Sequence, residues 1–266
     1  MKLFLRYFIF TLFSFSSIAC SDTQNVLSGY IEGAYTYISS AVGGTLFKLV
    51  VSRGQPIKKS DLLYVLDPEP EQDEARAAEA DIANIQAQVV LDKLELKRQK
   101  SLYPKGATTQ EAVDRAQANY TSSLNQLAAN QSKLAQVNWN LSQKTMYAPV
   151  SGIVFDTFHV LGEMIEATHP VLALLAPQNI HVLFYIPESQ LSQIKLGQNI
   201  TFTCDHCPKK ISAKISYISP QAEYTPPVIY SKNTRYKLVY LVRADLPPER
   251  AMQFHPGQPI SVYLYS

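Results

Sequence analysis

The chain has 266 residues, 46% of them apolar and 11% aromatic, which suits a folded protein of one large or two or three small domains rather than a disordered one. Its formal net charge is +2, with both signs interleaved and no run of Lys or Arg that would build a phosphate-binding face, so nucleic acid is not an expected partner. His159, His169, His181, His206 and His255 are scattered, and neither a G-x-S-x-G nor a P-loop occurs, so the chain is not read as an enzyme.

Residues 1–20 read as an export signal. Lys2 and Arg6 stand at the start of a short aromatic-rich apolar stretch, LRYFIFTLFSFSSIAC, which closes on the small residues Ser17 and Ala19. About a dozen strongly apolar residues fall short of the roughly 20 that span a bilayer. Ser-Ile-Ala-Cys resembles a lipobox in which Cys20 is lipidated, although Ser17 stands where Leu is usual. Ordinary cleavage and an uncleaved anchor are the other two outcomes, and all three leave the rest of the chain outside the cytoplasm. Residues 21–37 follow as an N-terminal segment with a leading strand.

A β-unit then occurs twice, over 38–68 and 146–177. AVGGTLFKLVVSRGQPIKKSDLLYVLDP can be laid on APVSGIVFDTFHVLGEMIEATHPVLALLAP. Gly44 and Gly54 reappear as Gly152 and Gly162, Ile57 as Ile165, and the run LLYVL as VLALL, each run followed by a closing Pro. Between the glycines apolar residues alternate with polar ones, the period of a half-buried strand. The four glycines are expected in turns. Either half alone would have open edges and too little core, so the two are expected to pair.

Between the halves, residues 69–145 are rich in Ala, Gln, Glu, Leu and Lys, and are broken only at Pro104 and Gly106, giving a tip at about 99–109. Ala75, Ala78, Ile82, Ile85, Val89, Asp92 and Leu96 keep a three-four spacing. So do Val113, Ala116, Tyr120, Ser123, Leu127, Asn130, Leu134, Val137 and Leu141. That is the pattern of two antiparallel helices packed as a coiled coil about 50 Å long. Asp92, Ser123 and Asn130 are expected to fix its register.

Residues 178–266 return to strands: HVLFYIP, NITFTC, KISAKISYIS, TRYKLVYLVRA and PISVYLY, with a short helix over 188–196 and a double-proline crossover, YTPPVIYSKN. They predict a small antiparallel barrel. Cys204 and Cys207 lie after one of these strands and before Pro208. A disulfide closing the turn, free thiols, a metal site and a redox motif are the readings. The strand context argues against the redox motif, and the lack of two further ligands against zinc.

The whole order, half a β-unit, a helical hairpin, the other half and a barrel behind an export signal, resembles the HlyD-type periplasmic adaptors, also called membrane fusion proteins. The likeness runs from Gly29 through essentially the whole chain and is strongest in GYIEGAYTYISSAVGG, YAPVSGIV and SYISPQAEYTPPVIYS, the last resembling the YbhG-like subgroup of ABC-exporter adaptors. The resemblance implies an elongated α+β protein in which a lipoyl/biotinyl-like β-sandwich is split by a long antiparallel coiled-coil hairpin and followed by a small β-barrel. It also implies a periplasmic protein of a Gram-negative bacterium, anchored to the inner membrane through its N-terminus. Such a protein joins an inner-membrane transporter of ABC type to a TolC-type outer-membrane channel, as a trimer or hexamer.

No cofactor is implied, because the tight turn that carries the modified Lys of true lipoyl and biotinyl carriers is replaced here by the hairpin. In several family members an Arg, a Leu four residues on and a Ser or Thr seven beyond engage the channel from the hairpin tip. Arg98, Leu102 and Thr109 match that spacing, though Leu102 and Thr109 equally suit closing and capping the turn. The chain stops at the last expected barrel strand, so the fourth, membrane-proximal domain of many adaptors is expected to be absent. An adaptor for an RND or other pump, and a periplasmic coiled-coil scaffold with no transport role, are the rival readings.

Overall fold

The computed structural model describes residues 26–205, 207, 210–224 and 238–264. The expected export segment with Cys20, the residues His206 and Pro208 of the cysteine turn, and all of the double-proline link beyond Tyr224 lie outside them. The described residues fall into two compact units: Gly33–Ile180, and a second that joins the stretch ending at Glu32 to the one beginning at His181.

Strand β1 (Val26–Gly33) serves the second unit. The first is built from β2 (Thr36–Ser39), β3 (Gly44–Leu49), β4 (Pro56–Ile57) and β5 (Leu62–Leu66), helices α1 (Glu69–Leu102) and α2 (Gln110–Ser142), and β6 (Thr145–Tyr147), β7 (Gly152–Thr157), β8 (Met164–Ile165) and β9 (Pro170–Leu175). Its strands form two four-stranded sheets, β2-β9-β7-β4 and β6-β5-β3-β8, so each sheet takes two strands from each half of the repeat. The pairing is reciprocal. Tyr37 sits opposite Ala173 where Thr145 sits opposite Val65, and Gly44 opposite Ile165 where Gly152 sits opposite Ile57.

Loop hydrogen bonds cross in the same way. Gly54 N donates to Val154 O at 2.8 Å and Gly162 N to Leu46 O at 2.9 Å, while Leu46 N donates to Glu163 O at 2.8 Å and Val154 N to Gln55 O at 3.0 Å. Neither sheet exists without both halves, as expected of units too small to fold alone. Leu46, Leu63, Tyr64, Leu66, Val154, Ile165, Leu172 and Leu174 fill the space between the sheets. Two of the four glycines are not where the repeat pattern puts them. Gly44 and Gly152 open strands β3 and β7, and only Gly54 and Gly162 occupy turns, with φ of 82° and 85°. The reason at Gly152 is space, since a Cβ there would meet Leu175 O at 2.4 Å.

The two helices have 34 and 33 residues, about 50 Å each. The striped positions face inward, with Ala75, Ala78 and Leu96 of α1 and Ala116, Ser123 and Val137 of α2 buried. The polar residues on the stripe do not lock the register by bonding across it. Asp92 accepts from Gln88 at 2.9 Å, Ser123 donates to Tyr120 O at 3.0 Å and Asn130 to Gln126 O at 2.9 Å, all within their own helices. Close to the helix backbone, these short side chains find a local carbonyl or neighbour before a cross-seam partner.

In the second unit, β10 (Ile180–Pro187), β11 (Asn199–Thr203), β12 (Ile211–Tyr224), β13 (Leu238–Asp245) and β14 (Pro259–Tyr263) join β1 in a closed barrel of order β1-β10-β13-β12-β11-β14. The sequence pattern names five of these strands. The sixth, β1, comes from the other end of the chain, its residues Val26–Tyr30 pairing antiparallel with Pro259–Tyr263. Closure leaves no free sheet edge. The expected helix at 188–196 is a 3-10 stretch over Glu188–Gln193, with no side-chain cap at its start; beyond it Gly197 N is drawn to Ile215 O at 2.8 Å. A single helical turn, α3 (Pro248–Ala251), precedes β14.

Candidate functional site

In the first unit, distant residues converge at the tip of the hairpin and at its root. At the tip, α1 ends just before Pro104, and a 3-10 turn, Tyr103–Lys105, reverses the chain at Gly106, whose φ is 71° and whose N donates to Tyr103 O at 3.0 Å. Thr109 caps α2, its hydroxyl accepting from Ala112 N at 3.2 Å. Arg98 and Leu102, one turn apart at the end of α1, and Thr109, at the start of α2, therefore all belong to the end of the arm. Arg98 pairs with Glu95 at 2.7 Å but leaves its side chain 66% exposed, Leu102 is half-buried, and Thr109 is exposed. With Lys100, Lys105 and the exposed ring of Tyr103 nearby, the end presents a basic, partly aromatic surface that suits an acidic or carbonyl-rich partner.

The root centres on Lys144, a residue the sequence pattern does not distinguish from any surface lysine. Its side chain is 4% exposed. The ammonium pairs with Glu71 Oε1 at 2.7 Å and donates to Gly43 O at 2.8 Å. Leu66 N donates to Lys144 O at 2.8 Å, and Ser40 Oγ to Gln143 O at 2.9 Å. The start of α1, the end of α2 and both strands flanking the hairpin are thereby tied at one point. Glu71 Oε2, also buried, has no hydrogen-bond partner among the described residues. Beside the pair, Gly44, Thr45, Asp67, Met164 and Glu166 line an open groove of about 570 Å³.

Elsewhere the chemistry is structural. Burial pushes the Tyr64 phenol well up, and its hydroxyl has no partner among the described residues, so the ring acts as core filling. In the barrel, His181 Nδ1 lies 2.9 Å from Asp245 Oδ1, and Ser216 Oγ donates to the same oxygen at 2.7 Å. Serine and imidazole share a carboxylate oxygen instead of facing each other, which is not the order of a Ser-His-Asp triad, where the imidazole stands between the hydroxyl and the carboxylate. Cys204 and Cys207 are joined as a disulfide with Cα atoms 5.1 Å apart, and Cys207 N donates to Cys204 O at 3.0 Å. So short a loop gains local rigidity more than global stability. Among the described residues no three of His, Cys, Asp and Glu come together as metal ligands, and no helix is long and apolar enough to cross a membrane.

A sandwich of two interlocked half-repeats with a helical hairpin inserted between them is a barrel-sandwich hybrid. The family model described as RND MFP, barrel-sandwich hybrid domain, matches residues 35–176, and the chain belongs to that family of membrane fusion proteins. It is 32% identical over 141 residues to the UPF0194 membrane protein in the asrC 5' region of Acidithiobacillus ferridurans, a match that spans 52% of this chain and only 41% of that relative. UPF0194 membrane protein YbhG of Salmonella paratyphi B is 26% identical over 275 residues, 84% of this chain and 83% of that one. The solved structure of the membrane fusion protein Spr0693 from Streptococcus pneumoniae R6 has a TM-score of 0.71 over 91% of this chain and 98% of that one, at 19% identity, a likeness of fold. The HlyD-type resemblance stands, and with it the α+β class of split sandwich, hairpin and barrel.

Proposed function

We propose that the protein is a periplasmic adaptor of an efflux or secretion system, linking an inner-membrane transporter to a TolC-type outer-membrane channel with the hairpin tip as its channel-facing end. One observation carries the reading: Arg98, Leu102 and Thr109 all belong to the end of a long arm whose other end is tied into the sandwich through Lys144. A two-helix arm of about 50 Å buries little beyond its own seam, so it serves to reach a partner rather than to support the sheets. The adaptor performs no catalysis and carries no cofactor.

The resemblance of SYISPQAEYTPPVIYS to the YbhG-like subgroup of ABC-exporter adaptors makes an ABC-type exporter the first reading of the inner-membrane partner, while the RND designation of the family model keeps an RND permease as the second. Assembly as a trimer or hexamer, and attachment to the inner membrane through residues 1–20 with or without acylation of Cys20, complete the proposal. Arg98→Asp combined with Leu102→Asp is expected to leave the far-ultraviolet circular dichroism unchanged and to abolish site-specific crosslinking to the channel in cells. Retained crosslinking overturns the role of the tip.

A further inference from the structure

We infer that the Cys204–Cys207 turn of the barrel is a binding site for a soft monovalent metal ion, Cu⁺ or Ag⁺, closed while the disulfide stands and opened when a dithiol reduces it. The inference goes beyond the adaptor reading and needs neither the channel nor the transporter. It starts from what the disulfide does not do. A bond between residues three apart in sequence restrains little of the unfolded chain. The strands already hold the barrel at this point. Phe202 pairs with Ile211 between β11 and β12, Thr203 pairs with Ser261 on β14, and the buried Phe202 ring meets Phe254 edge-on at 5.4 Å. Global stability therefore does not account for the two cysteines.

What the turn does provide is two sulfur donors at a fixed spacing. The Cα atoms are 5.1 Å apart, and Cys207 N donates to Cys204 O at 3.0 Å. That hydrogen bond does not depend on the S–S bond, and the loop is anchored at both ends in strands, so the two side chains stay adjacent after reduction. Both cysteines are only half-buried and Asp205 between them is exposed, which puts the turn within reach of a reductant and of an ion. Donor number then selects the ion. Among the described residues no His, Asp or Glu joins the pair to make a set of three. Zinc takes four ligands and hard cations take oxygen, whereas a soft ion of the Cu⁺ type is satisfied by two thiolates in line.

The turn follows a strand and lacks the helix N-terminus that activates a redox thiol, so the pair is acted upon rather than acting. A thiolate of the dithiol attacks one sulfur of the pair and breaks the S–S bond, and its second thiol then displaces the mixed disulfide. Two electrons and two protons pass to Cys204 and Cys207, and the reductant leaves as its own disulfide. The ion displaces both protons, leaving a bis-thiolate of charge −1 that the chain follows with the basic Lys209 and Lys210.

After anaerobic reduction with a phosphine, the full chain is expected to take one Cu⁺ per molecule from the coloured Cu⁺–bicinchoninate complex and to exchange it for Ag⁺. The oxidised chain takes none, a control that needs no substitution. Cys204→Ser combined with Cys207→Ser also takes none, and each single Cys→Ser change weakens binding by at least about a hundredfold, more than the loss of an outer-shell partner. Excess Zn²⁺ does not displace the ion, and His206→Ala retains it, because two thiolates complete the site. No uptake by the reduced chain, equal uptake by the oxidised chain or the double variant, displacement by Zn²⁺, or loss in His206→Ala overturns the inference. In cells, thiol alkylation is expected to mark a reduced fraction of the exported chain. A pair found always oxidised overturns it as well, since a disulfide has no thiolate to offer. Crosslinks from Arg98 to the channel report on the adaptor reading separately.

Discussion

At the turn of the first half of the sandwich, Ser52, Arg53 and Pro56 face solvent. At the matching turn of the second half the exposed residues are Val160, Leu161 and Met164. The backbone beneath them is the same. Gly54 and Gly162 take the same left-handed conformation, and so do Ser60 and Thr168, at φ of 72° and 69°. Ser60 N donates to Ala148 O and Thr168 N to Ser40 O, both at 2.8 Å. Two copies of one unit within one domain act as a control on each other: what both keep is required by the fold, and what only one has is free to serve something else. By that criterion the paired glycines and crossed hydrogen bonds belong to the fold. Lys144, which ties in the hairpin that only this junction carries, and the apolar turn at 160–164 lie outside that shared frame.

The largest effect should come from the least symmetric feature. The repeat position matching Lys144 is Thr36, whose hydroxyl makes only a long contact, 3.4 Å, with Asn179. Lys144→Ala strands the buried Glu71 carboxylate and should cost roughly 3 kcal/mol, whereas Thr36→Ala should cost less than ~1 kcal/mol. Chemical denaturation of the two variants checks the gap. A double variant, Lys144→Met with Glu71→Met, should recover most of the loss, because the penalty lies in the unpaired charge. If Lys144→Ala proves as mild as Thr36→Ala, the tie at the hairpin root contributes nothing to stability.

The symmetric features make the opposite prediction. A Cβ at either Gly54 or Gly162 meets nothing within 4 Å, so only the left-handed backbone penalises a side chain there. Gly54→Ala and Gly162→Ala should each cost about 1 kcal/mol and agree to within about 0.5 kcal/mol. A disparity well beyond that would show that the two turns are not equivalent in energy despite their matching geometry.

The same contrast explains what could be read in the sequence. Features that repeat locally were legible: the glycine spacing, the alternating strands, and the three-four stripe from Val113 to Leu141, whose buried members are the ones facing α1. The tip was legible because Pro104 and Gly106 separate that stripe from the one on α1. Long-range partnerships were not. Strand β1 reaches across nearly the whole chain to β14, and nothing in Val26–Gly33 itself marks a barrel strand rather than a sandwich strand. Lys144 becomes special only when Glu71 and Gly43 are folded onto it. For the same reason the polar residues of the stripe were misread, since Ser123 and Asn130 bond to carbonyls that any helix would offer.

The smallest effect is the most specific to the second half. In both turns a side-chain oxygen accepts from the backbone three residues back. Gln55 Oε1 takes Ser52 N at 3.0 Å, and Glu163 Oε2 takes Val160 N at 3.1 Å. One acceptor is neutral and the other is a carboxylate, held below its usual value of 4.5 first by the adjoining His159 imidazole and then by the Val160 amide. Because the folded value is the lower one, the turn's extra stability is fully present above pH 4.5 and is lost as the pH falls through that lowered value. Amide hydrogen exchange should therefore accelerate at Val160 relative to Ser52 on acidification, since the first half has no titrating acceptor at that position. Glu163→Gln, which gives the second turn the chemistry of the first, should make the ratio of the two rates independent of pH. If Ser52 loosens in step with Val160, or if the ratio in Glu163→Gln still follows pH, the titrating group lies elsewhere, and the divergence of the halves is confined to the apolar residues at their surface.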